Sequence, residues 1–486
     1  MKNPRPLYVD LDQSLLLTDV LWELVAQLVC RKPWKIPILA RACVGDRARL
    51  KTWLNAEIDF PVELLPWNTA VLELIQIHKA ASGRVFLATA THEQIARRIA
   101  DFHVFFDGVL ATVDGCNLKG EAKLAAIRTH CKTLGAEGFD YIGDSRADIP
   151  IWQAAEEAWL VPRHGRWLEK MARQSVSHLK TLQDTGPGLM HSWLRLMRPR
   201  QWSKNILLFL PLILAHRIHD AYLVGLATLA FTAFSLAASA VYAFNDCADV
   251  FRDRAHSRKR KRPLASGDVP LWHAPLVSFI LLVAAGLLSW LGVGNAFIEV
   301  LGVYLAANLL YTFWLKHRPV MDVVCLALLY TLRIFAGGVA TGLEVSKWLL
   351  TFSLFFFLSL AFGKRYQEIA PEAVKEQPSQ RVRGYLVGDL PIIGMGGLSA
   401  GFISVMVLAL YVQSPEVLKL YSSPVFLWLL CPLVIYWISR FWLLTGRGCL
   451  HDDPVVFALN DRASLAVGLL MLGVIAAAQL FPALVH

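Results

Sequence analysis

Asn245, Asp246, Asp249 and Asp253 stand where a long apolar run, Ala221 to Phe244, gives way to polar sequence. The run is long enough to cross a bilayer. If its helix continues, offsets of three and seven residues put the three carboxylates on one face, a turn apart. Carboxylates converging at a membrane mouth suit Mg2+, a hard cation that commonly holds substrate phosphates as well. Arg258, Lys259, Arg260, Lys261 and Arg262 follow at once and supply cations for the same anions. Together they read as a diphosphate site. A basic run beside an apolar segment also reads as a topology signal, because cytoplasmic loops collect Lys and Arg.

A second set of acids lies near the N-terminus. Leu7 to Val9 reads as a buried strand ending in Asp10, with Asp12 two residues on. Val85 to Ala88 reads as another strand, ending in Thr89; Lys119 and Lys123 lie where a helix begins; Tyr141 to Gly143 leads into Asp144 and Ser145, with Asp148 following. Ligand sites of open α/β sheets lie at such strand ends. These pieces, in this order, resemble the motifs of the haloacid dehalogenase superfamily of phosphotransferases. The resemblance implies that Asp10 is a nucleophile forming an aspartyl-phosphate and that Asp12 protonates the leaving oxygen and later activates water. It implies that Thr89 and either Lys119 or Lys123 hold the phosphoryl oxygens, and that Asp10, Asp144 and Asp148 hold Mg2+. Asp12 favours a phosphatase over a dehalogenase, which lacks that acid. Ser14 stands where the superfamily more often has Thr. The largely helical stretch from Leu15 to His78 is expected to form a small cap.

The elements that position these residues follow from how composition changes along the 486 residues. Up to residue 182, charged and apolar residues mix as in an α/β Rossmann-like domain. Residues 183–204 read as a turn-rich linker and an interfacial helix with Trp193, Trp202, Arg195, Arg198 and Arg200. Residues 205–486 alternate long apolar runs with short polar loops, as in an all-α polytopic membrane bundle. About nine spans are expected, beginning near Asn205, Ala221, Leu271, Phe297, Val320, Trp348, Ile392, Pro424 and Ala463. The first is short and broken by Pro211. Charged loops fall on one side, so they and the N-terminal domain are expected in the cytosol, at the inner (cytoplasmic) membrane. The net charge of +10 describes that face and no nucleic-acid partner. The eight cysteines form no CxxC pair, which indicates neither a zinc site nor a disulfide framework. Leu7 to Val9 is too short to be the core of a signal peptide.

The pattern Asn245-Asp246-x-x-Asp249-x-x-x-Asp253 after the second span resembles the first motif of the UbiA superfamily of intramembrane prenyltransferases. Within it, RPRQWSKN (Arg198 to Asn205), the run through His256 to Pro263, YTFWLKHRPVMD (Tyr311 to Asp322), GKRYQE (Gly363 to Glu368) and DDPVVFALNDR (Asp452 to Arg462) resemble the polyprenyl-phosphate phosphoribosyltransferase branch. Ser257 departs from an expected proline. The resemblance implies that Asp246, Asp249 and Asp253 hold Mg2+ on the diphosphate of 5-phosphoribosyl diphosphate. Lys204, Asn205, Asn245, Lys259, Arg260, Arg262, Tyr311 and Lys316 would contact substrate phosphates. Where aromatic prenyltransferases carry a second acidic motif, this chain has Lys364 and Arg365, suited to the phosphate of a polyprenyl phosphate acceptor. Arg333 lies inside a span and is expected to point inward, toward phosphate or a bundle acid. Asp453 and Asp461 are either ligands or caps of the last helix. The expected activity is phosphoribosyl transfer followed by phosphatase removal of the ribose 5-phosphate. The alternatives are an aromatic prenyltransferase using a prenyl diphosphate and a non-enzymatic lipid-phosphate carrier.

Overall fold

The computed structural model describes residues 5–43, 47–58, 61–113, 118–162, 166–182, 186–371, 382–450 and 454–480. The N-terminal part is a parallel sheet built from β1 (Leu7–Val9), β2 (Val85–His92), β3 (Gly108–Thr112), β4 (Asp140–Gly143), β5 (Glu157–Leu160) and β6 (Leu179–Thr181). The strand order is β3-β2-β1-β4-β5-β6. The chain steps outward from β1 to β2 and β3, then returns to the other side of β1 with β4. Between β1 and β4 the connections diverge, and a crevice at the strand ends follows. Leu7 pairs with Val85 on one side and Asp140 on the other. Both sheet faces are covered, so the strands read as apolar runs rather than alternating ones. Leu7, Val9, Leu87 and Ile142 enter one core, and Tyr8, Phe86, Ala88 and Tyr141 enter the other.

Three helices, α1 (Val20–Arg31), α2 (Ile36–Cys43) and α3 (Arg47–Glu57), are inserted after β1. The Asp19 side chain caps α1 by accepting from the Leu21 and Trp22 amides. The cap is therefore smaller than expected: α4 (Thr69–Ala80), started by an Asn68 cap, is the crossover leading to β2. Its Val71 and Ile75 are buried in the core beneath the sheet. The helices α5 (Glu93–Phe102), α6 (Glu121–Thr133), α7 (Ile149–Ala154) and α8 (Arg166–Ser175) connect the later strands, and α9 (Leu189–Met197) follows β6.

Beyond α9 come a 3-10 segment (Pro199–Phe209) and α10 (Leu210–Leu214). They stand where the first of the nine expected spans falls, broken at Pro211, but are not among the helices long and apolar enough to cross a membrane. Next are α11 (Ala221–Ala248), α12 (Val250–Ala255), α13 (His273–Gly292), α14 (Asn295–Phe313), α15 (Met321–Thr341), α16 (Lys347–Ile369) and α17 (Leu390–Val412). The chain closes with α18 (Pro415–Leu420), α19 (Leu430–Gly446), α20 (Pro454–Asn460) and α21 (Arg462–Leu480). Among the described residues eight helical segments are long and apolar enough to cross a membrane. The chain is a multi-pass membrane protein.

The chain forms two compact units, Met1–Met197 with Ala243–Val277 and Arg198–Tyr242 with Ser278–His486. In the first, the end of α11, α12 and the following loop share one apolar core with the cap. Ala243, Val250, Phe251, Leu264, Val269, Leu271 and Ala274 join Leu24, Leu28 and Leu54 there. Gly267 has a positive φ of 79°, and a Cβ on it would lie 2.8 Å from Leu17 Cβ and 3.3 Å from Pro66 Cγ. Only glycine satisfies both the left-handed backbone and the close approach. In the second unit, small residues let segments touch: a Cβ on Gly337 of α15 would lie 2.0 Å from the Leu208 carbonyl oxygen.

Candidate functional site

At the end of β1 the chain turns through Asp10 and Gln13, the latter at a positive φ of 58°. Asp10, Asp144 and Asp148 are buried, and ligand oxygens from the three lie within 4.8 Å of one another. Asp148 is fixed by the Ser145 amide (3.0 Å), the Ser145 hydroxyl (2.7 Å) and the Tyr141 hydroxyl (2.8 Å). Close approach matters here too, since a Cβ on Gly143 would sit 2.9 Å from Asp148 Oδ2. Lys123, buried on α6, places Nζ 3.0 Å from Asp10 Oδ1 and 3.6 Å from Asp148 Oδ1. Lys123 is thus the lysine at the acids, while Lys119 lines the cavity of about 200 Å3 beside them.

Asp12 accepts from the Val20 amide (2.8 Å) and the Thr91 hydroxyl (2.9 Å). Thr91, two residues beyond the Thr89 expected to hold phosphoryl oxygens, presents its hydroxyl to Asp12, and β2 runs on to His92. Thr89 is fully buried and accepts from the Thr91 amide. Burial pushes the Asp10 carboxyl up to about 8, with Lys123 opposing and Asp148, Asp144 and Asp12 adding to the rise. Three buried carboxylates this close need a counter-cation beyond Lys123, so the donor set fits a divalent metal.

The Asn245 to Asp253 stretch remains helical apart from a break at Asp249, bridged by Asp249 and Asp253 amides bonding to the carbonyls four residues back. Asp246 and Asp253 are buried, and both accept from Arg262 Nη1, at 3.1 and 2.5 Å. Asp249 pairs with Arg252 at 3.3 Å. Asn245 Oδ1 is buried without a hydrogen-bond partner among the described residues. Two buried carboxylates converging on one cation, with an orphaned acceptor a residue away, fit a metal as they fit the guanidinium. The basic run divides: Arg262 turns to the acids, whereas Arg260 and Lys261 line a different cavity, and Lys259 opens a short 3-10 turn. Arg254, beside Asp253, makes a buried two-point pair with Glu23 of α1, at 2.6 and 3.1 Å.

The second unit holds the remaining candidates. Arg333 points inward as expected, but its partners are neutral: Asn205 Oδ1 (2.9 Å), the Leu329 carbonyl (2.5 Å) and the Tyr304 hydroxyl (3.0 Å). The Phe234, Tyr304 and Tyr330 rings surround its guanidinium. Asn205 also donates to Ser235, and Lys204 is buried with Nζ over Tyr330.

Arg365 departs from its expected place as an open phosphate ligand. It is fully buried, bonded to Asp322, to Glu368 at 2.5 Å and to the Tyr311 hydroxyl at 2.9 Å. Arg383 joins through Glu368 (3.1 Å) and Tyr311 (3.2 Å), and the Tyr385 hydroxyl donates to Asp322 at 2.6 Å. Lys364 is half-buried on α16, and Lys316 lies half-buried in the 3-10 turn after α14. Of the two late acids, Asp461 is a cap: it accepts from the Ser464 amide and hydroxyl and pairs with Arg440 at 2.6 Å. Asp453 lies outside the described residues. Asp322, Glu368 and Arg383 escaped sequence reading, although Asp322 and Glu368 sit in two of the quoted motifs.

Residues 206–460 match the model of the UbiA prenyltransferase family, and residues 9–153 match that of haloacid dehalogenase-like hydrolases. The chain is 36% identical over 467 residues to an uncharacterized protein, y4nM, of Sinorhizobium fredii, covering 96% of this chain and 89% of that one. It is 42% identical over 177 residues to a decaprenyl-phosphate phosphoribosyltransferase of Mycobacterium tuberculosis, covering 36% of this chain and 58% of the relative. A UbiA homolog from Archaeoglobus fulgidus, bound to DMAPP and Mg2+, has a similar structure, with a TM-score of 0.44 and 18% identity over 59% of this chain and 97% of that one. The chain belongs to the UbiA prenyltransferase family. Its N-terminal part is a haloacid dehalogenase-like hydrolase domain, so two enzyme families meet in one polypeptide.

Proposed function

We propose that the chain transfers 5-phosphoribosyl from phosphoribosyl diphosphate to a polyprenyl phosphate, and that its hydrolase domain then removes the ribose 5-phosphate. The observation that carries this reading is the state of Asp322 and Glu368. Both acids are bonded to Arg365, whose side chain is only 1% exposed and has nowhere to turn, which leaves them poor ligands for a metal. Arg262, the partner of Asp246 and Asp253, is instead 30% exposed and free to turn toward a phosphate. The Asp246–Asp253 stretch is then the one acid set in the membrane-associated part available for a diphosphate, among the described residues. An aromatic prenyltransferase of the resembling kind would need two. The similarity to decaprenyl-phosphate phosphoribosyltransferases supports the same choice.

In this reading Asp246, Asp249 and Asp253 would hold Mg2+, whose charge would offset that developing on the diphosphate. Arg262 changes partner from these acids to a phosphate oxygen. Lys364 holds the lipid phosphate, whose oxygen forms the new bond to C1 as the C1–diphosphate bond breaks. Arg365 positions Tyr311 and the end of α16. In the hydrolase domain Asp10, Asp144 and Asp148 would hold a second Mg2+, whose charge would offset the repulsion around the nucleophile. Asp10 attacks phosphorus, Asp12 gives a proton to the ribose oxygen that leaves, and Lys123 orients Asp10. Water then hydrolyses the acyl phosphate with Asp12 as base. The charged loops and the hydrolase domain face the cytosol at the inner membrane.

The test supplies purified protein in detergent with Mg2+, ribose-labelled phosphoribosyl diphosphate and a polyprenyl phosphate. Label should enter the lipid phase, with the 5-phosphate retained only in Asp10→Asn. Folded protein that labels no lipid, yet joins a prenyl diphosphate to 4-hydroxybenzoate, would refute the proposal.

A further inference from the structure

A second cavity in the first unit, of about 540 Å3, shares no lining residue with the Asp10 cavity. It is also lined by none of Asp246, Asp249, Asp253 and Arg262. Its volume falls within the range of small-molecule sites. Arg260 and Lys261 reach it from the loop after α12. None of the ion pairs among the described residues uses either side chain. Its remaining cations are already spoken for: Arg254 is paired with Glu23, and Arg195 bonds the Lys261 carbonyl at 2.6 Å and pairs loosely with Asp268 at 3.9 Å, which leaves Asp268 lone pairs for hydroxyl groups. Those contacts hold the wall and leave Arg260 and Lys261 to meet a ligand.

The rest of the lining narrows the ligand. Cations alone would suit any anion, but Glu63, Asp268 and Ser266 also face the cavity. Carboxylates repel a bare phosphate and accept hydrogen bonds from hydroxyl groups. Leu65 and Pro66 add an apolar wall for the C–H face of a ring. Two unengaged cations, two carboxylates, a hydroxyl and a small apolar face are the complement of a phosphorylated sugar. We infer that this cavity binds a sugar phosphate at a site separate from both acid clusters. The inference does not depend on the transfer reaction proposed above.

The experiment titrates ribose 5-phosphate calorimetrically into full-length Asp10→Asn protein in detergent with EDTA, which suppresses turnover and metal-dependent binding at the acid clusters. Saturable binding is expected, weakened on the order of tenfold or more in Arg260→Ala/Lys261→Ala, the loss of charge-assisted hydrogen bonds. Both residues lie at the surface, and an unchanged melting temperature confirms that the variant folds. Asp268→Asn should weaken ribose 5-phosphate and strengthen inorganic phosphate, because it replaces one of two hydroxyl acceptors by a donor and removes a repelling charge together. An alkyl phosphoribose in the same micelles separates a lipid headgroup from a free sugar phosphate. Whichever binds the parent protein more tightly and is lost in the double variant is the source. The inference is overturned if neither binds, if the double variant binds as the parent does, or if inorganic phosphate and ribose 5-phosphate respond alike to Asp268→Asn.

Discussion

Glu23→Gln tests how the hydrolase cap and the aspartate-rich stretch hold together. The side chains of Glu23 and Arg254 are 0% and 4% exposed, and beside their two hydrogen bonds the guanidinium bonds the Ala265 carbonyl and lies over the Phe251 ring. Glutamine keeps the volume but replaces the carboxylate with one acceptor and one donor, so a buried cation is left without its counter-charge. Breaking a buried pair from one side costs about 3–5 kcal/mol. For a unit of this size each kcal/mol moves the melting temperature by roughly 2–4 °C, so the expected drop is roughly 6–20 °C. Near-ultraviolet circular dichroism in detergent reads it. Glu23→Leu/Arg254→Met should recover most of the loss, because replacing both charges by apolar groups is close to neutral. Because Arg254 neighbours Asp253, Glu23→Gln should also lower lipid labelling at temperatures below the transition. A Glu23→Gln melt within about 2 °C of wild type, against the several degrees worked above, would refute the reasoning. So would a double variant no more stable than the single.

Three further outcomes follow from other sites. Removing Mg2+ with EDTA should lower the melting temperature of the hydrolase unit by several degrees, since a ligand at 100 times its Kd stabilises by about 2.7 kcal/mol; Asp144→Asn should shrink the difference. Burial pushes His103 down to about 4, so the fold holds it neutral. The unfolded imidazole titrates near 6.5, so its stabilising share is complete above about 6.5 and is lost as pH falls from there toward 4. His103→Phe, placed among Trp67, Phe102, Phe105 and Phe106, should flatten the pH dependence of melting across that window. Asp461→Ala should cost about 0.5–2 kcal/mol of stability, as lost caps do, with lipid labelling retained. A metal-ligand role would instead abolish labelling with stability unchanged.

Strand ends and membrane spans were legible because each rests on a local pattern. Apolar runs mark α11 and α13 to α17, and an acid after a short apolar strand marks Asp10 and Asp144. Long-range partners left no such mark. Glu368 stands three residues on and offers an i,i+3 pair, but nothing near Arg365 indicates that Asp322 and Tyr311 saturate it, since a cation following a span looks the same whether it faces a ligand or a buried acid. Thr89 and Thr91 are equally plausible hydroxyls until the true end of β2 is known. The choice between Lys119 and Lys123 turns on which face of α6 meets the sheet, and only tertiary packing decides that. The Glu23–Arg254 pair joins residues far apart in sequence, one in a helix resembling any amphipathic cap and one in a basic run that reads as a topology signal.

The apolar core shared by the cap and the loop after α12 has a consequence for biosynthesis. The hydrolase unit needs Ala243–Val277, yet Arg198–Tyr242, which belongs to the other unit, is translated in between. At roughly 5–20 residues per second, several seconds separate the emergence of Met197 from that of Val277. Throughout that interval Leu24, Leu28 and Leu54 lack neighbours they have in the finished fold. The interval also includes synthesis of α11, so the soluble enzyme matures only after a transmembrane helix has been made. A ribosome-associated holdase is the kind of factor such a delay calls for, and a chain arrested before Val250 should remain protease-sensitive across its cap.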